Sequence, residues 1–576
     1  MRASVTAVLL AACGALAAPS QPNLIFVLID DWGFANVGYH REPSWPGNNE
    51  TVTPNIDRLA LGGLRLERNY VFKYCSPTRS ALQTGRNPIH VNVINSDIRQ
   101  HNKNDPEAGM QGAARSFTGL AEKLRDVGYM TAQAGKWNAG VAHESQTPHG
   151  RGYESSLFYF DYDTWFYNET LTASCPKRGP VTDLSTSLAG GATHPARRLN
   201  NTWACSQANQ SAAACPHGYQ DDLFIARVEE VIANASRTPD VPLFLFYAPH
   251  APHDPYEVPD AFFDKFSAID VEVRQYYSAM VNYLDTSFGR LEAALRASGR
   301  WDNTLVVVSS DNGGPADYGA TAPIRGGNNF PLRGSKATNW EGGIRVNAFA
   351  FGGALDPALE GTVTTELTAI EDWWTTFALL GGANTTDERA AAAGLPGVDG
   401  LDLRGLFVRG GNRTSPRTHV IIGDTKGDMS TGNTTVGGIL RNDGFKLLLG
   451  HVGDPVWQGP VCEQRAGRRA RARAGASPLR FLTDPLLPPR ADPNKTVPVR
   501  PPSYDCSAGC LFNVFDDPHE LNDVAAANPA VVAELKARVA ALEKTVWSPW
   551  RGADDGLACE VAFANHSGFI GPFLTG

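Results

Sequence analysis

The chain has 576 residues, 42% of them apolar and 19% charged, and carries a formal net charge of −9. That length exceeds one small core and favours two domains, and the apolar fraction is that of an ordinary globular protein. The mild acidity argues against a nucleic-acid partner, whose recognition needs a basic surface.

Residues 1–17 read as a secretory signal. Arg2 supplies the positive end, Val5 to Leu16 the apolar stretch, and Ala15-Leu16-Ala17 a small-residue cleavage site. The stretch is too short to cross a bilayer, and no later apolar run reaches about 18 residues, so no membrane span is expected. Ten Asn-x-Ser/Thr sequons, at Asn49, Asn168, Asn200, Asn209, Asn234, Asn384, Asn412, Asn433, Asn494 and Asn565, suit a glycoprotein of the secretory pathway. An extracellular or lysosome-like compartment is the expected destination.

In chain order, the first apolar run, Leu24 to Ile29, ends at Asp30-Asp31. Next comes Cys75-Ser76-Pro77-Thr78-Arg79-Ser80, then Ala81-Leu82-Gln83-Thr84-Gly85-Arg86. Pro77 suits the first turn of a helix, because its φ is fixed near the helical value and its missing N–H is unneeded there. Cys75 then sits just ahead of a helix N-terminus, where free N–H groups favour an anion. Thr118 to Val127 predicts a helix with Leu120 and Leu124 on one face and Gly128 as its C-terminal cap. A short strand at Met130 to Gln133 precedes Ala134-Gly135-Lys136-Trp137-Asn138.

Leu243 to Tyr247 leads into His250 and then Pro252-His253-Asp254-Pro255. Leu305 to Val308 leads into Ser309-Ser310-Asp311-Asn312-Gly313-Gly314, with Arg333-Gly334-Ser335-Lys336 beyond. Continuous apolar runs of this kind suit strands buried on both faces. Alternating with helices, they predict an α/β fold: a large, mostly parallel sheet sandwiched by helices. Ligands collect beyond the carboxyl ends of such strands, so Asp30-Asp31 and Asp311-Asn312 should meet at one sheet edge.

The texture changes near position 385, giving a main α/β domain over 18–410 and a smaller α+β domain over 411–576. Ala390 to Ala393 and the stretch near Gly410 read as linker or surface loop. Ile439-Leu440 and Phe445 to Leu449, around Asn442-Asp443-Gly444, predict a tight hairpin. Val532, Leu535, Val539 and Leu542 make an apolar stripe on a late helix, and an Arg/Pro-rich insert near 465–502 reads as irregular. With Cys13 in the signal and Cys75 set aside, seven cysteines leave three disulfides and one remainder. Cys205 with Cys215 is the preferred pair, and Cys462 with Cys506 or Cys510 the next.

Asp30, Asp31, Asp311 and Asn312 form an all-oxygen set, which selects Ca²⁺ or Mg²⁺ over softer metals. Cys-x-Pro-x-Arg followed by Leu-x-Thr-Gly-Arg resembles the sulfatase signature, in which the cysteine is oxidised to formylglycine. Similarity to the arylsulfatase B type extends over Leu24 to Gly33, Thr53 to Arg86, Gly135 to Gly140, Pro242 to Pro255 and Trp301 to Gly343. It implies an alkaline-phosphatase-like fold and a formylglycine-generating enzyme acting on Cys75 during maturation. It also implies Ca²⁺ held by Asp30, Asp31, Asp311, Asn312 and position 75. By the same resemblance Lys136 and Lys336 would grip the sulfate, Arg79 would hold the nucleophile, and His253 would protonate the leaving group, with His250 a competitor.

The expected reaction is hydrolysis of a sulfate ester, on a sulfated sugar or polysaccharide. One position departs from the family: Gly-Lys-Trp is usually followed by His, which removes a proton from the nucleophile's second hydroxyl. Asn138 stands there and cannot act as a base, and His143 is the nearest histidine in sequence. Two alternatives follow. One is a phosphate or phosphonate ester hydrolase on the same fold; the other is a secreted pseudo-sulfatase that binds sulfated glycans without turnover.

Overall fold

The computed structural model describes residues 21–574, apart from 43–47, 96–98, 172–174, 176, 188–217, 270, 317–324, 426–433, 454–504 and 555. The signal segment, Cys205, Cys215, Cys462 and the Arg/Pro-rich insert lie outside the described residues.

Nine strands form the main sheet: β1 (Asn23–Ile29), β2 (Leu64–Leu66), β3 (Met130–Lys136), β4 (Ser155–Tyr159), β5 (Ser185–Ser187), β6 (Leu243–Ala248), β7 (Thr304–Ser310), β8 (Ala348–Phe351) and β9 (Thr362–Thr364). Their spatial order is β9-β2-β8-β7-β1-β6-β3-β4-β5. The five central strands, β7 through β4, are parallel, whereas β8 and β5 join antiparallel at either side. The expected α/β sandwich is therefore present, with a mixed periphery.

Side chains of β1 alternate between two buried layers, as a strand covered on both faces requires. Leu24, Phe26 and Leu28 pack with Leu82 of α1 (Cys75–Thr84), Leu120 and Leu124 of α2 (Leu120–Arg125), and Trp373 and Phe377. Ile25, Val27 and Ile29 pack with Leu223 and Phe224 of α3 (Gln220–Ala235) and with Tyr277, Leu284 and Leu291 of α4 (Glu272–Ala297). Each such side chain, withdrawn fully from water, contributes about 1.5–3 kcal/mol. These layers fix the sheet edge that carries the functional loops.

A second, antiparallel sheet runs β10 (His419–Thr425), β11 (Thr434–Arg441), β12 (Phe445–Gly450) and β13 (Cys506–Asn513). The predicted hairpin is β11–β12, with Ile439 opposite Leu447 and Gly444 at φ 94° in the turn. One face packs on Leu535 and Val539 of α5 (Pro529–Leu542), and the other on Tyr70, Trp340 and Ile344. At that seam a buried Lys446 ammonium sits 2.9 Å from both Glu341 and Glu520.

Several sequence expectations need correction. Ala390 to Ala393 is not a loop: Glu388–Ala392 is helical, started by the Asp387 side chain accepting from the Ala390 N–H. The helix predicted over Thr118 to Val127 is confined to Leu120–Arg125, because Gly119 caps it and Gly128 turns away at φ 95°. Cys462 does not pair with Cys506 or Cys510, since those two are bonded to each other. Cys175 pairs with Cys559 instead, across 384 positions, so the last helix is tied back to Cys175, which lies in sequence between the paired strands Thr170–Leu171 and Val181–Thr182. Residues near the carboxyl terminus also pair with early ones, Ala553 opposite His101 and Leu574 beside His143. Among the described residues no helix is long and apolar enough to cross a membrane.

Candidate active site

Neighbouring parallel strands β7, β1, β6 and β3 all release their chains at one edge. Asp30 and Asp31 follow β1, Asp311 and Asn312 follow β7, and His250 and His253 follow β6. Lys136 is the last residue of β3, which runs three residues beyond its predicted end. Cys75 enters from the side as the first residue of α1, rather than just ahead of it.

These groups touch. Cys75, fully buried, points its thiol at Asp30 Oδ1, 3.6 Å away. Lys136 Nζ donates to Asp30 Oδ2 at 2.7 Å. Arg79 donates through Nε and Nη2 to Asp311 Oδ2, at 3.0 and 2.7 Å, and its Nη2 lies 3.7 Å from Asp30. Lys336 Nζ lies 2.6 and 2.8 Å from the two Asp31 oxygens and 3.1 Å from His253 Nε2. Three carboxylates and three fixed cations are thus interleaved in one dry pocket.

Dryness makes the charges interact strongly. Burial alone would raise Asp30, but His253, Lys136 and Arg79 outweigh it and hold the carboxyl at about 2. Burial and the neighbouring Asp30 charge push Asp311 up, against the pull of Arg79. Burial also drives the Cys75 thiol far above its ordinary value, with Asp311 adding to the effect. Beside these groups alone the thiol stays protonated near neutral pH and is a weak nucleophile.

Asp31 takes φ 58°, a left-handed backbone that Asp tolerates better than most side chains. Tyr277 holds the strained turn, its hydroxyl donating to the Asp31 carbonyl at 2.6 Å and accepting from the Gly33 N–H at 3.1 Å. Asn312 Nδ2 donates to Asp31 Oδ1 at 2.7 Å. Its own Oδ1 is buried with no hydrogen-bond partner. Such an orphaned oxygen is costly unless something electropositive meets it. Donor atoms of Asp30, Asp31, Cys75 and His253 also lie within 4.8 Å of one another. The oxygens of Asp30, Asp31, Asp311 and Asn312 are of the kind that would suit a divalent cation.

His250 and His253 separate clearly. His253 reaches Asp31 and Lys336, whereas His250 stacks on Phe166 and bonds Gln220 through Nδ1 at 2.8 Å. Burial and the charges of His253 and Lys136 push His250 well below its ordinary value, keeping it neutral. His143 bonds Ser145 at the start of a short helical turn. Asn138 is fully buried at φ 50°, its Oδ1 accepting from the Ser76 hydroxyl at 2.5 Å. Ser76 was not marked by the sequence, although its place beside Cys75 was the available signal.

Elsewhere in the chain, buried Glu169 is pushed up to about 8 by burial and by the charge of Glu257. A carboxyl raised from 4.5 stabilises the fold below that value and loses the contribution as pH climbs toward 8. Glu169→Gln should therefore flatten the fall in thermal midpoint between pH 5 and 8; an unchanged slope would count against it.

Acids and cations interleaved at the carboxyl edge of a helix-covered parallel sheet suit a site for an anionic ester. Residues 22–383 match the Sulfatase family model. Mouse (Mus musculus) arylsulfatase J is 29% identical over 570 residues, covering 93% of this chain and 81% of that protein. Human (Homo sapiens) arylsulfatase A is 31% identical over 425 residues, 71% of this chain and 72% of its own length. The crystal structure of Ps i-CgsB in complex with k-i-k-neocarrahexaose superposes with a TM-score of 0.65 at 22% identity, covering 95% and 99% of the two chains. That last likeness speaks for the fold. The chain belongs to the sulfatase family and is a sulfuric ester hydrolase.

Proposed function

We propose that the chain cleaves a sulfate monoester from a sulfated sugar or polysaccharide, using position 75 as the nucleophile. The observation that carries the reading is Cys75 itself: buried, at a helix start, with its thiol 3.6 Å from Asp30, which Lys136 and Arg79 flank. Oxidised to formylglycine, this position would offer a hydroxyl of the hydrated aldehyde where the thiol is inert. Asp30, Asp31, Asp311 and Asn312 would hold Ca²⁺ or Mg²⁺, which supplies charge stabilisation for the sulfuryl oxygens when bound.

The chain's own residues divide the remaining work. Lys136 and Lys336 place two ammonium groups where anionic oxygens must collect, the clamp that transfer of a charged group requires. Arg79 fixes Asp311 and faces Asp30, holding the acids in place beside position 75. His253 Nε2 lies between Asp31 and Lys336, where it can hand a proton to the departing oxygen. Asn138 can only hydrogen-bond, and Ser76 already occupies its oxygen.

A secretory route is part of this reading, and the exposure of the sequons supports it. Every sequon asparagine among the described residues, Asn49, Asn168, Asn234, Asn384, Asn412 and Asn565, is exposed. The test is mass spectrometry of the peptide Tyr74 to Arg79 from protein made in a host with the maturation machinery, with sulfated sugars and matched phosphate esters as substrates. Aldehyde at position 75 and turnover of the sulfates are expected. A retained thiol with bound but uncleaved glycan would overturn the proposal.

Asn138 makes a separate prediction. Loss of a base here should slow release of sulfate from the nucleophile, so rapid mixing should show a burst of desulfated alcohol before steady state. Asn138→His should raise the steady-state rate by roughly tenfold or more, the low end of a general-base contribution. No burst and no gain would rule it out.

A further inference from the structure

His253 has two ring nitrogens, and only one can face the reaction. Its Nε2 points inward, 3.1 Å from Lys336 Nζ and 3.6 Å from Asp31 Oδ2. Its Nδ1 points away, to the main-chain oxygen of Asp254 and, at 3.3 Å, to Asp254 Oδ1. The other Asp254 oxygen accepts from Arg325 Nη1. Asp254 stays anionic: burial opposes its charge, but His253, Arg325 and Lys336 together hold its carboxyl well below the ordinary range.

Lys336 can only donate, so its contact with Nε2 is a hydrogen bond only when that nitrogen carries no proton. The Nδ1 proton is then directed at the main-chain oxygen of Asp254, with the Asp254 carboxylate beside it at 3.3 Å. A carboxylate behind an imidazole fixes which nitrogen is protonated and how the ring is turned. Arg325, 71 positions away in sequence, in turn fixes the carboxylate.

We propose that Asp254, clamped by Arg325, is a positioning residue that sets the tautomer and orientation of His253. The inference rests on the sulfatase reading above. It gives Asp254 a role different from that of Asp30, Asp31 and Asp311. Those three line the pocket, whereas Asp254 acts only through the imidazole. Once bound sulfate has drawn Lys336 away and Nε2 has taken up a proton, His253 gives that proton to the leaving oxygen. The S–O bond breaks with its electron pair on that oxygen, and the ring returns to the Nδ1–H form seen here. Asp254 neither gains nor loses a proton in the step.

The test uses full-length, matured enzyme and two substrates: 4-nitrophenyl sulfate, whose leaving group needs no proton, and a sugar sulfate, whose alkoxide does. Asp254→Asn should slow release of the desulfated sugar in the first turnover, read by rapid mixing, by about 10–100-fold. On 4-nitrophenyl sulfate the loss should stay within about threefold. Arg325→Gln should show the same bias at smaller amplitude, and the double variant should lose no more than Asp254→Asn alone. Aldehyde content and thermal midpoint are measured for each protein, and Arg325→Gln carries the test if Asp254→Asn does not fold. Parallel losses on both substrates, or none, would overturn the positioning role. Wild-type protein that cleaves neither sulfate would instead overturn the sulfatase reading, and this inference with it.

Discussion

Replacing Asp311 by alanine is expected to cost the protein both stability and turnover. Arg79 is fully buried, and Asp311 is the partner it grips with two nitrogens. The remaining acid near it, Asp30, lies 3.7 Å away and is already committed to Lys136. An arginine left without its partner in a dry site typically costs about 3–5 kcal/mol. Asp311 Oδ1 also accepts the Asp31 N–H at 3.1 Å, so the strained turn loses an anchor. Urea denaturation should report the stability loss, and kcat/KM should fall by roughly 10²–10³ or more. Asp311→Asn keeps the shape and should recover much of the stability while restoring little activity. An alanine variant as stable and as fast as wild type would contradict this account of the pocket.

Cys75→Ala should remove activity while leaving the fold intact. The thiol makes one polar contact, a weak one of 3.6 Å to Asp30, and alanine fits the same buried space. Structure should therefore survive with a small loss in thermal midpoint. Removing a nucleophile typically lowers turnover by at least about 10³-fold, since the remaining clamp still binds without reacting. The comparison that matters is binding: an unreactive sulfated sugar should hold to Cys75→Ala about as well as to wild type. Residual turnover within tenfold of wild type would show that position 75 does not carry the chemistry.

Much of the fold was legible because the central strands are short apolar runs with sharp polar ends. Leu24 to Ile29 and Leu305 to Val308 declare themselves by composition, and parallel pairing places Asp30 beside Asp311 although their strands are offset by 281 positions. Lys136 and His253 were legible for the same reason, each standing at or just past a strand end. Asp387 ahead of Glu388 is a readable helix-start signal, which the featureless alanine run after it masks.

Other features left no local trace. Arg325 and Asp254 are ordinary charges until the sheet brings their loops together. Cys175 and Cys559 have no spacing that suggests a pair, because distant partners are chosen by topology and not by periodicity. The Lys446 bridge between Glu341 and Glu520 is hidden likewise, since a lysine inside an apolar strand gives no hint of its partners.

The Cys175–Cys559 bond makes two thirds of the polypeptide a covalent ring with an open tail at either side. A single protease cut anywhere inside that ring would yield one object of unchanged mass on a non-reducing gel, apart from one added water. Two pieces would separate only after thiol treatment. Clipped preparations would therefore pass for whole ones unless a reductant were added.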